Sequence, residues 1–293
     1  MDQAEQLRNV IKQKSREASP KNARVVTITS GKGGVGKSNL AVNMAIWLRR
    51  MNKRVIIIDA DLGLANVEVM FGAVPQYNLS DLIYRGKSIR EIITKGPMEI
   101  GFISGGLGIA GLNNLSKDQI VYLVHSLAEL NDLADVIIID TGAGISDSVL
   151  EFVLASPEIL LISTPEPSSL TDAYSLLKAL YRNPVFSKEK THIQVIANKV
   201  TSIEEGEAVF SKLNSVVMQF LKGDLDFLGM IPQDPEMENA VRSQKIISIE
   251  RPNAASSKAF QVLTGNYINH EHEAVTIHKG ITQLIINFLA RRM

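Results

Sequence analysis

The stretch of sequence that decides the fold reads Gly31-Lys32-Gly33-Gly34-Val35-Gly36-Lys37-Ser38. It fits the pattern G-x-x-x-x-G-K-[ST], which is the phosphate-binding P-loop. A run typical of a buried strand, Val25–Thr29, precedes it, and a run typical of a helix, Asn39–Met51, follows it. A strand, a glycine-rich loop and a helix in this order are the setting that a P-loop needs. The sequence therefore predicts a nucleotide-binding protein.

Each part of this loop has an expected role in holding the nucleotide. Glycines let the backbone curl so that several N–H groups point at one anion, and the following helix directs its positive dipole end to the same place. Lys37 is predicted to reach the β- and γ-phosphates, and the Ser38 hydroxyl is predicted to ligate Mg²⁺. Gly33, Gly34 and Gly36 are expected to tolerate no side chain. The nucleotide-binding residues predicted here are Gly33, Gly34, Val35, Gly36, Lys37, Ser38 and Asn39.

Composition narrows the class of protein. The chain has 293 residues, which is enough for one large α/β domain with a substantial core. Its formal net charge is zero, so no global field draws it to nucleic acid. It contains no cysteine, which removes disulfides, thiolate zinc sites and iron–sulfur ligation. The N-terminus does not resemble a signal peptide, and no apolar run reaches the length of a spanning helix.

Apolar runs of strand length recur along the chain and alternate with helical patterns. This alternation is typical of a mostly parallel sheet with helices on both faces. The sequence thus predicts a single α/β domain of the P-loop NTPase type. The predicted strands after the first are Arg54–Ile58, Ile100–Ser104, Val136–Ile139, Ile159–Ile162, Ile193–Ala197 and Phe227–Ile231, and the later helices include Gln119–Leu130, Leu170–Tyr181 and Ala208–Leu221.

Aspartates stand where ligands of an open α/β sheet bind, at the carboxyl ends of strands. Asp140 is placed as a Walker B aspartate, which would hold Mg²⁺ through its water shell. Asp59 and Asp61 are two residues apart, so on an extended segment they face the same side, and one of them could position the attacking water. The predicted metal site is Ser38, Asp59 and Asp140. The alternative is that these aspartates only cap turns or helices.

Lys32 is a second lysine inside the loop, and from its position it could reach the nucleotide of a partner subunit. The pattern K-G-G-x-G-K-[ST] resembles the deviant P-loop of the MinD/ParA family of dimerising ATPases, in which the equivalent lysine acts in trans. The strings that begin at Asp59 (D-x-D-x-G-L-x-N) and at Asp140 (D-x-x-A-G) are similar to the two switch regions of that family. Gly142 departs from the usual proline, which should loosen the second switch.

The resemblance implies further roles. Asp61 would be the hydrolytic aspartate, with Asp59 near the metal and water. The region of Asn198 and the loop that contains Pro232 and Asp234 would surround adenine, since an asparagine offers both a donor and an acceptor. Ordinary helix-entry turns are the alternative for these two segments. The implied ligands are ATP or ADP and Mg²⁺, and the implied catalytic residues are Lys32, Lys37, Asp59 and Asp61.

The beginning of the chain predicts a partner-binding motif, with a frayed N-terminal helix as the alternative. Residues 1–11 predict a short helix, residues 12–24 a polar linker, and residues 25–277 the ATPase domain. The string D-Q-A-x-x-L-R resembles the N-terminal motif of the flagellar branch of the MinD family (FlhG, YlxH or FleN type), which docks on and stimulates the signal-recognition-type GTPase FlhF. The implied partner-binding residues are Asp2, Gln3, Ala4, Leu7 and Arg8.

The other end of the chain predicts a membrane-binding segment. Residues 278–293 form a short amphipathic pattern with basic ends, which suits an anionic membrane surface. MinD relatives carry a membrane-targeting helix here, although a helix packed on the domain would have the same pattern. The apolar residues of this segment are Ile281, Leu284, Ile285, Phe288 and Leu289.

The resemblance implies an ATP hydrolase that controls flagellar number and placement. It would alternate between a cytoplasmic monomer and an ATP-bound dimer on the inner face of the cell membrane. The implied partners are an FlhF-type GTPase, flagellar C-ring proteins, an anionic membrane and a second copy of the chain. One alternative is a ParA-like DNA-segregating ATPase, which the neutral charge argues against. Another is a regulatory module that uses nucleotide to set its shape, for example to hold a transcription factor inactive.

Overall fold

Eight strands form one sheet within the residues that the structure, a computed structural model, describes: 23–61, 66–105 and 117–269. Six of the eight carry apolar residues that are buried on both faces, as expected for strands covered by helices on two sides. The strands are β1 (Arg24–Thr29), β2 (Val55–Ala60), β3 (Thr94–Lys95), β4 (Gly101–Ser104), β5 (Val136–Thr141), β6 (Glu158–Ser163), β7 (His192–Val200) and β8 (Asp226–Pro232).

The strand order is β3-β4-β2-β5-β1-β6-β7-β8, so β1 lies at the centre of the sheet. All neighbouring pairs are parallel except β3 and β4, which form a short antiparallel pair at one edge. In parallel sheets of this kind ligands bind at the carboxyl ends of the strands. The P-loop leaves the carboxyl end of β1, with β5 on one side of it and β6 on the other.

Helices cover both faces of this sheet. The helices are α1 (Lys37–Arg50), α2 (Asn66–Phe71), α3 (Leu79–Arg85), α4 (Ile89–Ile92), α5 (Lys117–Ala128), α6 (Leu130–Leu133), α7 (Asp147–Ala155), α8 (Pro167–Arg182), α9 (Ile203–Val216), α10 (Pro235–Arg242), α11 (Ile247–Glu250) and α12 (Ala255–Asn269). Helices α1 and α12 pack together on one face, whereas α8 and α9 pack against the strands of the other face. A third buried cluster lies between α3, α4, α5 and the strands around β2.

The predicted fold, a mostly parallel sheet with helices on both faces, is confirmed. Several element boundaries differ from the prediction. Strand β5 continues to Thr141 and β7 to Val200, so Asp140 and Asn198 lie within strands and not after them. Helix α1 begins at Lys37, two residues before the predicted start, because the P-loop itself forms the first turn. Helix α9 begins at Ile203, five residues before its predicted start.

Helix α12 runs from the nucleotide end of the sheet to the opposite end. Near its start, Ser256 contacts Asp234, which follows the carboxyl end of β8. Near its finish, the Tyr267 hydroxyl donates to Glu158, the first residue of β6, over 2.7 Å. Arg24, the first residue of β1, pairs with the same Glu158 carboxylate at 2.8 Å. The described chain therefore begins and ends at the same end of the sheet.

Candidate functional site

The P-loop is held in shape from two sides of the fold. Gly36 has a φ of 104°, a left-handed conformation that favours glycine, and a Cβ there would lie 2.5 Å from the Asn198 side-chain nitrogen. A Cβ on Gly31 would lie 2.1 Å from the backbone of Asp172 in α8. Gly33 differs, because the nearest atom to its Cβ position would be Ala143 at 4.0 Å. Within the protein itself, the expected intolerance of side chains at position 33 has no steric cause.

Lys37 lies buried at the floor of the loop. Its ammonium donates to the Ser30 hydroxyl over 3.1 Å, and that hydroxyl donates to the Lys32 carbonyl over 2.7 Å. Burial lowers the pKa of Lys37, while the charges of Asp140 and Asp61 raise it. A buried ammonium that forms no ion pair at contact distance with the described residues is poised to receive an anion. Ser30 is a site residue that sequence reasoning missed, although it directly precedes the motif.

Two aspartates meet beside this lysine because their strands are neighbours. The register of β2 and β5 pairs Asp59 with Asp140, which places both carboxylates at the same level of the sheet. Asp140 is fully buried, and neither of its carboxylate oxygens meets the geometry of a hydrogen bond to the described residues. Burial raises its pKa to about 6, whereas the nearby Ser38 hydroxyl and Lys37 ammonium lower it. Buried carboxylates without partners are rare and need a ligand to satisfy them.

Asp59 is held by the first switch region. One of its oxygens accepts from the Asp61 backbone N–H at 3.1 Å, and the other accepts from the Val67 N–H at 3.3 Å. Burial and the charge of Asp140 nevertheless raise the pKa of Asp59 to about 7. The Asn66 side chain donates to Asp61 at 3.4 Å. Asp59 and Asp61 therefore lie together at the end of β2, joined by the hydrogen bond from the Asp61 N–H to the Asp59 carboxylate.

These residues fit a magnesium ion together with a phosphate chain. Three carboxylates and one ammonium leave an excess of negative charge, and the orphaned Asp140 oxygens face the Ser38 hydroxyl. Among the described residues, no group of three or more His, Cys, Asp and Glu side chains could enclose a metal on its own. Magnesium in nucleotide sites does not need such a cage, because phosphate oxygens and water complete its six ligands. The predicted metal site of Ser38, Asp59 and Asp140 is compatible with this donor set and stays a prediction.

The second switch region is tied to the start of the P-loop. The Gly144 N–H donates to the Ser30 carbonyl over 3.0 Å, and Gly144 has a φ of +90°. The Thr141 hydroxyl donates to the Ile28 carbonyl over 3.0 Å. A Cβ on Gly142 would lie 3.5 Å from the Asp61 carboxylate, so the two switches face each other. The loosening expected from Gly142 stays a prediction.

Lys32 points along the rim of the site and not into it. Its ammonium lies 2.8 Å from the Glu166 carboxylate and 2.8 Å from the Ser168 hydroxyl, both at the start of α8. The ion pair is exposed at both partners, so it is weak in water. The predicted action of Lys32 on a second subunit stays a prediction, and it requires this contact to break. Glu166 and Ser168 were missed at the sequence level, although they follow the strand next to β1.

A cavity of about 670 Å³ opens beside the P-loop. It has the size of a small-ligand site and is bounded by the loop, the end of β7 and the loop between β8 and α10. Asn198, Pro232 and Asp234, the residues predicted to surround adenine, line it together with Ile231, Met237 and Phe260. Their role in binding adenine stays a prediction.

Two residues predicted to contact adenine engage their polar side-chain groups in hydrogen bonds within the protein. The Asn198 amide donates to the Val35 carbonyl over 2.6 Å, and its oxygen accepts from the Lys199 N–H at 2.9 Å. The Asp234 carboxylate accepts from the Glu236 N–H and from Ser256. Asn198 therefore braces the P-loop, and Asp234 shapes the cavity wall. Lys199, whose ammonium donates to the Gly34 carbonyl over 3.2 Å, is a second brace that sequence reasoning missed.

Two groups of predicted residues fall outside the described residues. They are the partner-binding residues of segment 1–11 and the membrane-binding residues of segment 278–293. Both groups stay predictions. None of the helices in the described part of the chain is both long and apolar enough to cross a bilayer.

Comparison with known proteins identifies relatives over most of the chain. The profile of the ParA family, described as "NUBPL iron-transfer P-loop NTPase", matches residues 21–268. The chain is 38% identical over 240 residues to the antiactivator FleN of Pseudomonas aeruginosa, covering 82% of this chain and 84% of FleN. It is 33% identical over 261 residues to the flagellum site-determining protein YlxH of Helicobacter pylori, covering 88% and 86%. Without cysteine, this chain has no thiolate to ligate an iron–sulfur cluster.

Solved structures agree on the fold. A chain of the MinC:MinD cell division protein complex from Aquifex aeolicus superposes with a TM-score of 0.65 at 23% identity, covering 86% of this chain and 97% of that one. The septum site-determining protein MinD of Pyrococcus horikoshii, solved with Mg-ADP, gives a TM-score of 0.65 at 22% identity, covering 84% and 96%.

Proposed function

Because this chain belongs to the MinD/ParA family of P-loop ATPases and is a homologue of FleN and YlxH, we propose that it is a switch ATPase that dimerises around ATP and controls flagellar number and placement. The observation that carries the proposal is the joint arrangement of three features: a P-loop with a buried lysine, a pair of register-matched aspartates beside it, and a second lysine at the rim.

The residues have separate roles in the proposed cycle. Lys37 and the loop N–H groups bind the phosphates, and the cavity beside Asn198 receives the adenine. Bound Mg²⁺, held by Ser38, Asp59 and Asp140 directly or through water, would neutralise phosphate charge. Asp61 orients the attacking water from the first switch turn. Lys32 leaves Glu166 and reaches the phosphates of a second subunit, where an added cation is worth roughly 10³–10⁵ in rate.

Dimerisation is the first step to test. The mass in solution would be measured by light scattering with Mg²⁺ and either no nucleotide, ADP or ATP. The proteins are the wild type, Asp61→Ala and Lys32→Ala. The control is Lys258→Ala, which changes an exposed lysine of α12. We expect dimers only with ATP, persistent dimers for Asp61→Ala, and no dimers for Lys32→Ala. The same mass with and without ATP, in wild type and Asp61→Ala alike, would contradict the switch.

The cellular role rests on the two ends of the chain. We propose that residues 278–293 bring the ATP dimer to the anionic inner face of the membrane and that residues 2–8 stimulate an FlhF-type GTPase, with C-ring proteins as further partners. Deletion of 278–293 should abolish ATP-dependent sedimentation with anionic vesicles. Deletion of 1–11 should abolish stimulation of the GTPase and leave sedimentation intact. Each deletion serves as the control for the other.

A second candidate function is a nucleotide-gated antiactivator, which holds a transcription factor inactive. The observation that favours it is the relative at 38% identity, which is named as an antiactivator. The two functions differ in their need for hydrolysis. If binding to a flagellar transcription activator survives Asp61→Ala while flagellar number is still controlled, the antiactivator function is sufficient. If Asp61→Ala disturbs flagellar number although the activator is bound, the hydrolytic switch is required.

A further inference from the structure

Helix α9 ends in an unusual turn that exposes apolar side chains. Its last turn continues as a π-helix over Val217–Leu221, and Lys222 then adopts a left-handed conformation with φ of 55°. Val217 is buried and anchors the turn, whereas Met218 is 56% and Phe220 is 61% exposed. Short π-helical segments are rare and occur often at functional positions. Two large apolar side chains on one exposed turn have no role in the folded core.

A second segment, the connection from α8 to β7, packs against this turn. The rings of Tyr181 and Phe186 lie 4.8 Å apart, and the Tyr181 hydroxyl donates to the Asp224 carbonyl over 3.3 Å. The Lys188 ammonium donates to the Lys222 carbonyl over 2.7 Å. Val185, in the same connection, is 53% exposed. We give the name π-turn surface to a set of exposed residues from the end of α8, this connection and the π-helical turn: Val185, Met218 and Phe220 with Arg182, Lys188, Lys190 and Lys222.

This surface has a small excess of positive charge. Four basic residues belong to it, and the acidic residues in and directly after the two segments are Glu189, Asp224 and Asp226. The Glu189 carboxylate accepts from the Ser187 hydroxyl at 2.9 Å, which helps to lower its pKa and keeps it ionised. Exposed apolar side chains together with lysine and arginine are a composition that binds anionic membrane surfaces.

The position of the π-turn surface is also informative. It leads directly into β8 at Asp226, so it lies at the amino ends of the strands, opposite the P-loop. Helix α12 ends at this same end, as the Tyr267 contact with Glu158 shows. The eight residues 270–277 can span roughly 25 Å when extended. The segment proposed to bind membrane therefore starts within reach of the bilayer that the π-turn surface would face.

We propose that the π-turn surface is a second membrane contact, in which Met218 and Phe220 enter the headgroup region of an anionic bilayer and the surrounding basic side chains bind lipid headgroups. The proposal deepens the proposed membrane cycle and rests on it. More than half of each apolar side chain projects from the end of a helix, a shape that suits insertion into a lipid surface and not the capture of a peptide in a groove.

The direct test uses an environment-sensitive dye, because a chain without cysteine can be labelled at one introduced thiol. Phe220→Cys carries the dye at the π-turn surface. Ile203→Cys is the matched control, since it is 65% exposed and lies about 25 Å away at the other end of the same helix. Both proteins are held with ATP and Mg²⁺, and vesicles of phosphatidylglycerol with phosphatidylcholine, or of phosphatidylcholine alone, are added.

We expect a blue shift and increased emission at position 220 with the anionic vesicles only, and no change at position 203. A response at position 220 to ATP without vesicles would assign the surface to contact between copies and overturn the proposal. The proposal would also be overturned if the protein sediments with the anionic vesicles while the dye emission at position 220 does not change.

Vesicle sedimentation gives the second test. Met218→Ser with Phe220→Ser changes only exposed side chains, so folding, ATP-dependent dimerisation and hydrolysis should stay at wild-type levels. We expect vesicle affinity to fall about tenfold or more, with a similar fall for Arg182→Glu with Lys190→Glu. Unchanged affinity of both variants overturns this proposal and leaves the proposed membrane cycle standing. Absence of vesicle binding by the wild-type dimer overturns both.

Discussion

At the scale of single residues, the site is a set of charges that the fold does not satisfy internally. Asp140 is buried without a hydrogen bond to the described residues, and Asp59 lies beside it at matched register. Burying such groups costs free energy, which a bound cation and phosphate chain can repay. Lys37 is buried near them and needs an anionic partner. The site therefore suits a ligand that carries both negative and positive charge, such as a phosphate chain with a bound cation. Without ligand, we expect the free energy of unfolding to be lowest at pH values at which these carboxylates are forced to ionise.

Replacing Asp59 should change how stability depends on pH. The pKa of Asp59 is raised to about 7 by burial and by Asp140, so folding favours its protonated form. The stabilisation is complete below the unfolded pKa near 4 and is lost as pH rises through 7. In the absence of nucleotide and metal, wild type should lose a few kcal/mol more than Asp59→Asn between pH 5 and pH 8. Urea unfolding at the two pH values measures this, and equal losses would contradict it.

Releasing Lys32 should favour the dimer. The ion pair between Lys32 and Glu166 is exposed and therefore weak, yet it must break before the lysine can reach a second subunit. Glu166→Gln is expected to tighten the ATP dimer up to about fivefold, as measured by analytical ultracentrifugation. Glu189→Gln, which removes a carboxylate far from the P-loop, is the control and should have no effect. Weaker dimers for Glu166→Gln would show that Glu166 itself contributes to the interface.

At the scale of elements, the P-loop takes its shape from its neighbours as well as from its own glycines. Strand β7 supplies Asn198, which donates to the Val35 carbonyl, and helix α8 packs so closely that Gly31 has no room for a Cβ. The strand order β5-β1-β6-β7 brings the P-loop, the end of β7 and the start of α8 together at the carboxyl ends of the strands. The glycines of the loop therefore serve two different purposes, one for packing and one for the ligand.

Alanine substitutions should separate these two purposes. Gly31→Ala forces a Cβ to within 2.1 Å of the α8 backbone, so we expect a loss of about 2–5 kcal/mol in the free energy of unfolding. Gly33→Ala meets only Ala143 at 4.0 Å and should change stability by less than about 0.5 kcal/mol. Its affinity for a fluorescent ATP analogue should nevertheless fall, because the backbone N–H groups of this loop are proposed to bind the phosphates. Equal stabilities of the two variants would contradict this division.

At the scale of the whole molecule, one cluster of side chains joins the start of β1, the start of β6 and the end of α12. The Arg24 guanidinium pairs with Glu158 at 2.8 Å and lies 3.8 Å from the centre of the Tyr267 ring. It also donates to the Tyr267 carbonyl over 2.8 Å. The cluster lies at the end of the sheet opposite the P-loop, so it stabilises the domain without taking part in nucleotide binding.

Tyr267→Phe should lower stability without changing activity. The substitution removes the hydroxyl that donates to Glu158 and leaves a half-buried carboxylate short of one donor, which costs about 1–3 kcal/mol. Thermal unfolding measures the loss, and ATP affinity should stay at the wild-type value. Tyr122→Phe is the control, since its exposed hydroxyl donates to the Lys87 carbonyl and should contribute little. A change in ATP affinity would show that the two ends of the sheet are coupled.

The sequence by itself determined the features that depend on spacing along the chain. The P-loop, the apolar strands and Asp59 and Asp140 are recognisable because backbone curl, strand burial and strand-end ligands follow from neighbouring residues. Tertiary structure alone decided the contacts between distant segments. Lys32 meets Glu166 across 134 positions because β6 pairs with β1, and Asn198 braces Val35 because β7 lies one strand further out. Such contacts depend on which strands pair, and that choice is made by the packing of the whole core.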